Sequence, residues 1–148
     1  MFVMQKFVNN KQKYIMIEIN EINPTKANEF AENGALFIDV REKAELEEQA
    51  YIVPNIQNIP YSTFDEHYRD IPKDRKLILA CHSGVRSLRT AQFLVVQGWP
   101  AENIFNLEGG ILAWTMDRFP TRLGQRSFTM VKPDSSCGCG SNSSGSCC

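Results

Sequence analysis

The sequence predicts an α/β protein in which helices cover both faces of a mostly parallel β-sheet. Short apolar segments with the composition of buried strands alternate along the chain with segments of helical pattern. Asn, Pro and Gly, which cap helices and form turns, stand at the junctions between them. A helix that joins two parallel strands must cross one face of their sheet. Alternating strands and helices therefore predict a three-layer α/β/α arrangement.

The first half of the chain contains three predicted strands and two predicted helices. Residues 14–20 have strand character, and Asn23 with Pro24 starts a helix that reaches about Asn33, where Gly34 can end it. The elements predicted after this helix are a buried strand at 35–39, a helix at 42–49 and a short edge strand at 56–60.

The clearest strand and the clearest helix lie in the second half. Residues 76–81 form a continuous apolar strand, and after a tight loop residues 87–97 carry apolar side chains on one helical face up to Gly98. A further strand at 103–107 leads through a Gly-Gly pair into a helix that contains Trp114. Each of these strands is followed by a helix, as a parallel sheet requires.

The composition predicts one domain without a strongly charged surface. At 148 residues and 43% hydrophobic content, the chain can bury a single core. Its 16 basic and 17 acidic residues nearly cancel, which argues against nucleic acid or an anionic membrane as a partner. No segment approaches the roughly 18 apolar residues of a membrane span, and residues 1–16 do not resemble a signal peptide. We therefore expect a soluble, cytoplasmic protein.

The chain divides into three predicted regions. Residues 1–15 are expected to be a loose extension, 16–120 the folded domain and 121–148 a flexible tail. The alternation of strands and helices stops after Pro120, and residues 135–148 contain only Ser, Cys, Gly and Asn. Such a composition cannot bury enough apolar surface to offset the entropy lost on ordering.

Cys81 is the only cysteine within the predicted domain, because the other four lie in the tail. This uneven placement differs from a disulfide framework, in which cysteines are spread through the folded region. A lone cysteine at the end of a strand can be a small buried hydrophobe, which is its commonest state. It can also be a reactive thiol, and the loop that follows decides between these interpretations.

The loop after the strand at 76–81 has the features of an anion site. It comprises Cys81, His82, Ser83, Gly84, Val85, Arg86 and Ser87. Reactive groups in parallel α/β sheets lie beyond the C-terminal strand ends, where the next helix directs unpaired N–H groups at a ligand. Gly84 permits the backbone to curl, so that successive amides converge on the sulfur. These amides, the helix N-terminus and Arg86 all favour a negatively charged sulfur, either a thiolate or a persulfide.

Three motifs stand out along the chain: Asp-Val-Arg at 39–41, the Cys81 loop at 81–87, and Asn-Leu-Glu-Gly-Gly-Ile at 106–111 with Trp114. With these motifs the chain resembles the rhodanese family over roughly residues 16–120. The resemblance implies a five-stranded parallel sheet flanked by helices, with Cys81 as sulfur carrier. It also implies that the loop backbone from His82 to Arg86 cradles the persulfide, while Arg86 organises the loop and neutralises charge.

Three further residues are expected to support this loop. Asp39 is expected mainly to cap the turn after its strand. For Arg41 two interpretations stay open, a surface ion pair and support of the active-site rim. Ser87 closes the loop. Residues 50–55 depart from the family's usual pattern, which is expected to change a local turn and the pocket wall.

The activity implied by the resemblance is that of a thiosulfate sulfurtransferase. A donor such as thiosulfate would transfer a sulfane sulfur to Cys81, and a thiophilic acceptor, cyanide or a thiol, would remove it. The acceptor could instead be a protein, and no cofactor is expected. Phosphatases of similar architecture place five residues between Cys and Arg, whereas this loop has four, a ring better matched to one sulfur atom. The alternative function is a persulfide carrier or a soft-metal-binding module.

The tail has the least family-like pattern, and its cysteines are Cys137, Cys139, Cys147 and Cys148. Three interpretations stay open: no specific function, a ligand set for Cu(I) or Zn(II), or a thiol arm that relays sulfur from Cys81. Adjacent cysteines bind one tetrahedral ion only with strain. A Ser/Gly chain of about 20 residues has a root-mean-square reach of about 25 Å, enough to return to a pocket on the same domain.

Overall fold

The secondary structure confirms the predicted alternation of strands and helices. The structure, a computed structural model, describes residues 6–8 and 14–124. Its strands within these residues are β1 (Lys6–Val8), β2 (Tyr14–Met16), β3 (Asn20–Ile22), β4 (Leu36–Asp39), β5 (Gln49–Tyr51), β6 (Ile56–Asn58), β7 (Leu77–Ala80), β8 (Ile104–Leu107) and β9 (Thr121–Leu123). Its helices are α1 (Pro24–Glu32), α2 (Lys43–Glu48), α3 (Phe64–His67), α4 (Val85–Val96) and α5 (Gly110–Met116). Short 3-10 turns span Tyr61–Thr63, Tyr68–Asp70 and Ala101–Asn103.

Five parallel strands form the central sheet in the order β3-β8-β7-β4-β6. The predicted five-stranded parallel sheet is thus confirmed. β7 lies in the middle, between β4 and β8, and all four of its residues are buried. The loop that follows β7 therefore opens at the centre of the C-terminal edge of the sheet, with the loops after β4 and β8 on either side.

Helices cover both faces of the sheet, which confirms the three-layer arrangement. On one face, Phe64 of α3 and Leu94 of α4 pack with Leu36 and Ile38 of β4. On the other face, α1 and α5 pack against Phe37, whose side chain points opposite to those of its neighbours. The alternation along β4 explains why its whole sequence is apolar up to Asp39: each side chain enters one of two cores.

An aromatic cluster fastens α5 to the sheet. The Trp114 ring is fully buried, and its centroid lies 5.8 Å from that of Phe37, 5.6 Å from Tyr51 and 4.7 Å from Phe119. The indole N–H donates to the carbonyl of Pro120 at 3.1 Å. This packing holds the N-terminus of α5 next to the loop that follows β7.

The N-terminal part of the sheet differs from the predicted single strand at 14–20. β2 pairs antiparallel with β1, while β3 joins the parallel sheet beside β8. Between them, Ile17 and Ile19 are buried in the core without belonging to a strand. The apolar pattern at 14–20 thus indicates buried residues but not one continuous strand. The β1–β2 pairing also places strand structure in part of the extension predicted to be loose.

Strand β9 lies beyond residue 120, at which the folded domain is predicted to end. β9 pairs antiparallel with β5, and the Gly124 N–H donates to the Glu48 carbonyl at 2.8 Å. Three residues are too short to show a periodicity, so β9 had no detectable signal in the sequence. The remainder of the predicted tail, including all four of its cysteines, lies outside the described residues. In the part of the chain that is described, no helix is long and apolar enough to cross a membrane.

Candidate active site

Cys81 lies directly after β7, and two donors contact its sulfur. The Gly84 N–H donates to Sγ at 3.0 Å, and the Ser87 hydroxyl donates to it at 3.3 Å. The cysteine is 1% exposed and packs with the core. A purely hydrophobic cysteine would not need these donors, so the polar contacts favour the interpretation of a reactive thiol over that of a small buried hydrophobe. In the described part of the chain, one backbone amide meets the sulfur and a hydroxyl supplies the second contact.

The backbone around Gly84 creates this geometry. Gly84 adopts φ +95°, in the left-handed region, and caps α4, which begins at Val85, two residues earlier than predicted. A Cβ on Gly84 would lie 3.2 Å from both the Gly109 nitrogen and the Leu107 carbonyl oxygen. The first turn of α4 consequently starts at the sulfur, where its unpaired N–H groups favour negative charge.

The start of α5 holds the loop from the other side. The Ile111 N–H donates to the Cys81 carbonyl at 3.0 Å, and the Leu112 N–H donates to the His82 carbonyl at 3.4 Å. Gly110 has φ +56°, and a Cβ there would lie 2.5 Å from the Cys81 and His82 carbonyl oxygens. The Gly-Gly pair is therefore required by the close approach of two backbones. Its position in the sequence indicated a turn between a strand and a helix but not this contact with the Cys81 loop.

Two contacts of the loop were missed by sequence reasoning. The Tyr51 hydroxyl donates to the Cys81 carbonyl at 2.7 Å, and the Asn106 amide donates to the Gly84 carbonyl at 3.1 Å. Burial raises the pKa of Tyr51 far above its usual range, so its hydroxyl remains a donor. Asn106 lies near the end of β8 and begins the Asn-Leu-Glu-Gly-Gly-Ile motif at 106–111. Tyr51 lies in the segment that departs from the family pattern, 30 residues from its partner, and had no local signal.

Asp39 and Arg41 form a buried ion pair beside the loop. Arg41 Nη2 lies 2.7 Å from Asp39 Oδ2, and the two side chains are 2% and 0% exposed. Asp39 Oδ1 also accepts the Arg41 backbone N–H at 3.0 Å, which is the turn cap that the sequence predicted. The Arg41 guanidinium donates to the Gln49 carbonyl and lies over the Tyr51 ring, 5.1 Å from its centroid. The alternative of a surface ion pair for Arg41 is therefore wrong.

Arg86, which was expected to organise the loop, binds Glu45 of α2. Its Nη1 and Nη2 donate to Glu45 Oε2 at 2.8 Å and Oε1 at 2.6 Å. No hydrogen bond from this guanidinium to a loop carbonyl occurs among residues 6–8 and 14–124. Both Nη groups of Arg86 are thus bound by the Glu45 carboxylate, which is 41 residues away in the sequence, and not by the loop.

The Arg86 hydrogen bonds lower the pKa of Glu45 to about 2, and the same contacts raise the pKa of Arg86. Because the carboxyl pKa falls below its ordinary value of 4.5, the pair stabilises the fold fully above about pH 4.5. That contribution disappears as the pH falls toward 2. Both side chains are about one third exposed, so solvent screens the pair and keeps its effect on stability small.

A cavity of about 230 Å³ lies next to the loop. Its lining residues are Arg41, Glu45, Glu48, Gln49, His82, Arg86 and Ile111. Cys81 is not among them, so the cavity lies beside the sulfur and not directly over it. His82 is exposed at this position, and Val85 is exposed at the helix start. Of the predicted loop residues, Arg86 and His82 thus face the cavity, while Gly84 and Ser87 contact the sulfur.

The described residues contain no group of three or more His, Cys, Asp or Glu side chains placed to hold a metal ion. The tail cysteines considered as soft-metal ligands lie outside these residues.

The sequence and structure match known proteins over most of the chain. A sequence model described as the Rhodanese-like domain matches residues 23–117. Rhodanese-like domain-containing protein 17 of Arabidopsis thaliana is 32% identical over 131 residues, which cover 80% of each chain. Thiosulfate sulfurtransferase GlpE of Haemophilus influenzae is 32% identical over 108 residues, which cover 70% of this chain and 95% of the relative. The crystal structure of a rhodanese-related protein from Thermoplasma volcanium, also 32% identical, superimposes with a TM-score of 0.62 and covers 70% and 98%.

Proposed function

The chain belongs to the rhodanese-like domain family and has sulfurtransferase relatives, and we propose that it transfers a sulfane sulfur through a persulfide on Cys81. The donor is thiosulfate or a compound of similar chemistry, and the acceptor is cyanide or a thiol. The observation that carries this proposal is the pair of hydrogen bonds from Gly84 and Ser87 to the Cys81 sulfur. Donors aimed at a sulfur stabilise the anionic form that both steps of the reaction need.

The proposed first step is attack of the Cys81 thiolate on the outer sulfur of thiosulfate. A new S–S bond forms as the S–S bond of thiosulfate breaks, and sulfite leaves with the electron pair. In the second step cyanide attacks the outer sulfur of the persulfide and leaves as thiocyanate, which restores the thiolate. Neither step consumes an external oxidant, reductant or proton, so the proposed cycle includes no cofactor.

The contacts of the loop suit this cycle. The Cys81 carbonyl is bound by Tyr51 and Ile111, which keeps that oxygen from turning its negative end toward a charged sulfur. The first turn of α4, which begins at Val85, supplies further N–H groups near the outer sulfur of a persulfide. Since Cys81 is 1% exposed, a donor in the neighbouring cavity can reach the sulfur only when covering groups move.

Sulfur loading tests the proposed function directly. After incubation with thiosulfate, intact-mass measurement is expected to show one added sulfur that peptide mapping places on Cys81 and that cyanide removes. Failure to load sulfur on Cys81 would contradict the proposal. Continued thiocyanate production with excess thiosulfate and cyanide distinguishes an enzyme from a persulfide carrier, which would load once and wait for a partner protein.

We propose further that a tail cysteine can act as the thiol acceptor. Gly124, the last described residue, is hydrogen-bonded to Glu48, and Glu48 lines the same cavity as His82 and Arg86. The tail thus starts beside the cavity. Cys137 follows 13 residues later (137 − 124), and a flexible chain of that length has a root-mean-square reach of roughly 20 Å. A tethered thiol at that distance has a high effective concentration, which favours the relay over the metal and inert alternatives.

Truncation after Pro133 tests the relay, because it removes four cysteines and keeps the described residues. Thiosulfate to cyanide turnover is expected to persist, since cyanide diffuses to Cys81 without the tail. In the full-length chain, persulfide mapping by peptide mass spectrometry is expected to find sulfur on tail cysteines after loading. Equal labelling of the tail in a Cys81→Ser chain would overturn the relay, because the donor would then modify exposed thiols without the domain.

A further inference from the structure

The charges around the cavity beside Cys81 are balanced. The side chains that line it include two arginines, Arg41 and Arg86, and two glutamates, Glu45 and Glu48. Anionic donors such as thiosulfate are usually attracted by unpaired cationic side chains, because opposite charges attract each other. Whether either arginine retains unpaired charge therefore determines which donors the cavity favours.

Arg41 is fully committed to other groups. Asp39 binds its Nε and Nη2, the Gln49 carbonyl binds its Nη1, and the side chain is 2% exposed. A buried guanidinium with a bidentate carboxylate partner presents almost no net charge to a neighbouring ligand. Arg41 therefore forms part of the cavity wall without attracting anions.

Arg86 is neutralised by Glu45 in a similar way. The fork lies at 2.8 Å and 2.6 Å from the two carboxylate oxygens. The α2 capping box holds Glu45 in place, because its carboxylate also accepts the Glu42 N–H at 2.9 Å. The carboxylate cannot follow Arg86 freely, and Arg86 would lose a bidentate partner if it turned to an incoming anion. Glu48, which is exposed and has no ion-pair partner among the described residues, adds a further negative charge at the rim.

We propose that Glu45 is a specificity-determining residue that selects against doubly charged sulfur donors. The cavity then favours donors of smaller negative charge, such as a thiosulfonate or a persulfide whose organic group is uncharged. This inference rests on the proposed sulfur transfer through Cys81. The Gly84 N–H and the Ser87 hydroxyl contact the Cys81 sulfur whichever donor is used, whereas the Glu45 carboxylate acts on the charge of the part that leaves.

Two donors that differ by one charge make the comparison. Thiosulfate is a dianion, and methanethiosulfonate carries the same outer sulfur on a monoanion. In each reaction the Cys81 thiolate attacks that sulfur and one S–S bond replaces another. Sulfite leaves from the first donor and methanesulfinate from the second, so the sulfur transferred and the electron count are the same.

The test measures kcat/KM for both donors, with cyanide as acceptor, in the wild-type chain and in Glu45→Gln. Glutamine keeps the size of the side chain, and its one carbonyl oxygen can still accept from Arg86 Nη1 and from the Glu42 N–H, while the contact with Arg86 Nη2 is lost. The ratio of kcat/KM for thiosulfate to kcat/KM for methanethiosulfonate is expected to rise about five- to tenfold in Glu45→Gln. This is the effect of removing the repulsion between the Glu45 charge and the one additional charge of thiosulfate, for a separation of roughly 8 Å and an effective dielectric constant of about 40. The rise should appear mainly in KM and shrink at high salt.

Glu47→Gln is the matched control, because Glu47 lies on the same helix, is exposed and does not line the cavity. It should leave the donor ratio unchanged. A Glu45→Gln ratio equal to wild type would overturn the proposal, and so would equal losses with both donors, which would mark Glu45 as merely structural. Absence of turnover with either donor in the wild-type chain would instead overturn the proposed sulfur transfer and remove the basis of this inference.

Discussion

Replacement of Cys81 with Ser is expected to lower thiosulfate to cyanide turnover by about three orders of magnitude or more. A serine hydroxyl is a weak nucleophile toward sulfur, and it cannot form the persulfide on which both proposed steps depend. The Gly84 N–H and the Ser87 hydroxyl would remain in place, but the atom they contact could no longer carry sulfur. Production of thiocyanate in a continuous assay measures the loss.

The chain truncated after Pro133 is the appropriate background for this experiment, because it lacks the tail thiols. Cys81→Ser replaces one small buried side chain with another, so the melting temperature should change by only a few degrees. A truncated Cys81→Ser chain that kept the turnover of its parent would contradict the assignment of the sulfur carrier. Retained turnover in the full-length variant alone would instead point to the tail cysteines.

Asp39→Asn is expected to lower the free energy of unfolding by about 3–5 kcal/mol, because it leaves the buried Arg41 guanidinium without a compensating charge. The amide cannot replace the carboxylate in its bidentate contact, and water does not reach a side chain that is 2% exposed. Urea denaturation measures the change. Because Arg41 also lies over the Tyr51 ring, whose hydroxyl binds the Cys81 carbonyl, turnover should fall as well.

Two control variants separate burial from charge. Glu29→Gln removes one partner of the Lys26–Glu29 pair, whose side chains are 47% and 55% exposed, and should change stability by less than about 1 kcal/mol. The double variant Asp39→Leu/Arg41→Met removes both buried charges and should recover much of the lost stability. If Asp39→Asn were no more destabilising than Glu29→Gln, the ion pair would not be the buried support that its geometry indicates.

Features that depend on neighbouring residues were predictable from the sequence. Asn23 caps α1 through a hydrogen bond to the Lys26 N–H at 2.9 Å, with Pro24 in the first turn, as its sequence pattern predicted. β7 and the position of Cys81 at its end followed from an apolar run and the glycine-containing loop after it. Such features are determined within a few residues, so one short segment contains the information.

Features that depend on distant partners were not predictable from any segment. The sequence indicated that Arg86 lies beside the sulfur, but its bidentate partner Glu45 is 41 residues away. The Tyr51 hydroxyl reaches the Cys81 carbonyl from a strand outside the parallel sheet. The prediction of one strand at 14–20 was wrong for a related reason. An apolar pattern indicates that residues are buried, but it does not show with which strand their backbone groups form hydrogen bonds.

The sequence by itself determined the fold class, the order of the elements and the placement of one cysteine at the C-terminal end of the central strand. Local propensity, hydrophobic periodicity and the geometry of glycine are enough for these. Only the tertiary structure decided which charges neutralise each other and which carbonyls are bound around that cysteine. The loops after β4, β7 and β8 meet because their strands are neighbours in the sheet, although they are far apart in the chain. Electrostatic interactions depend on distance in space, so the charge balance of the site exists only once the sheet has formed.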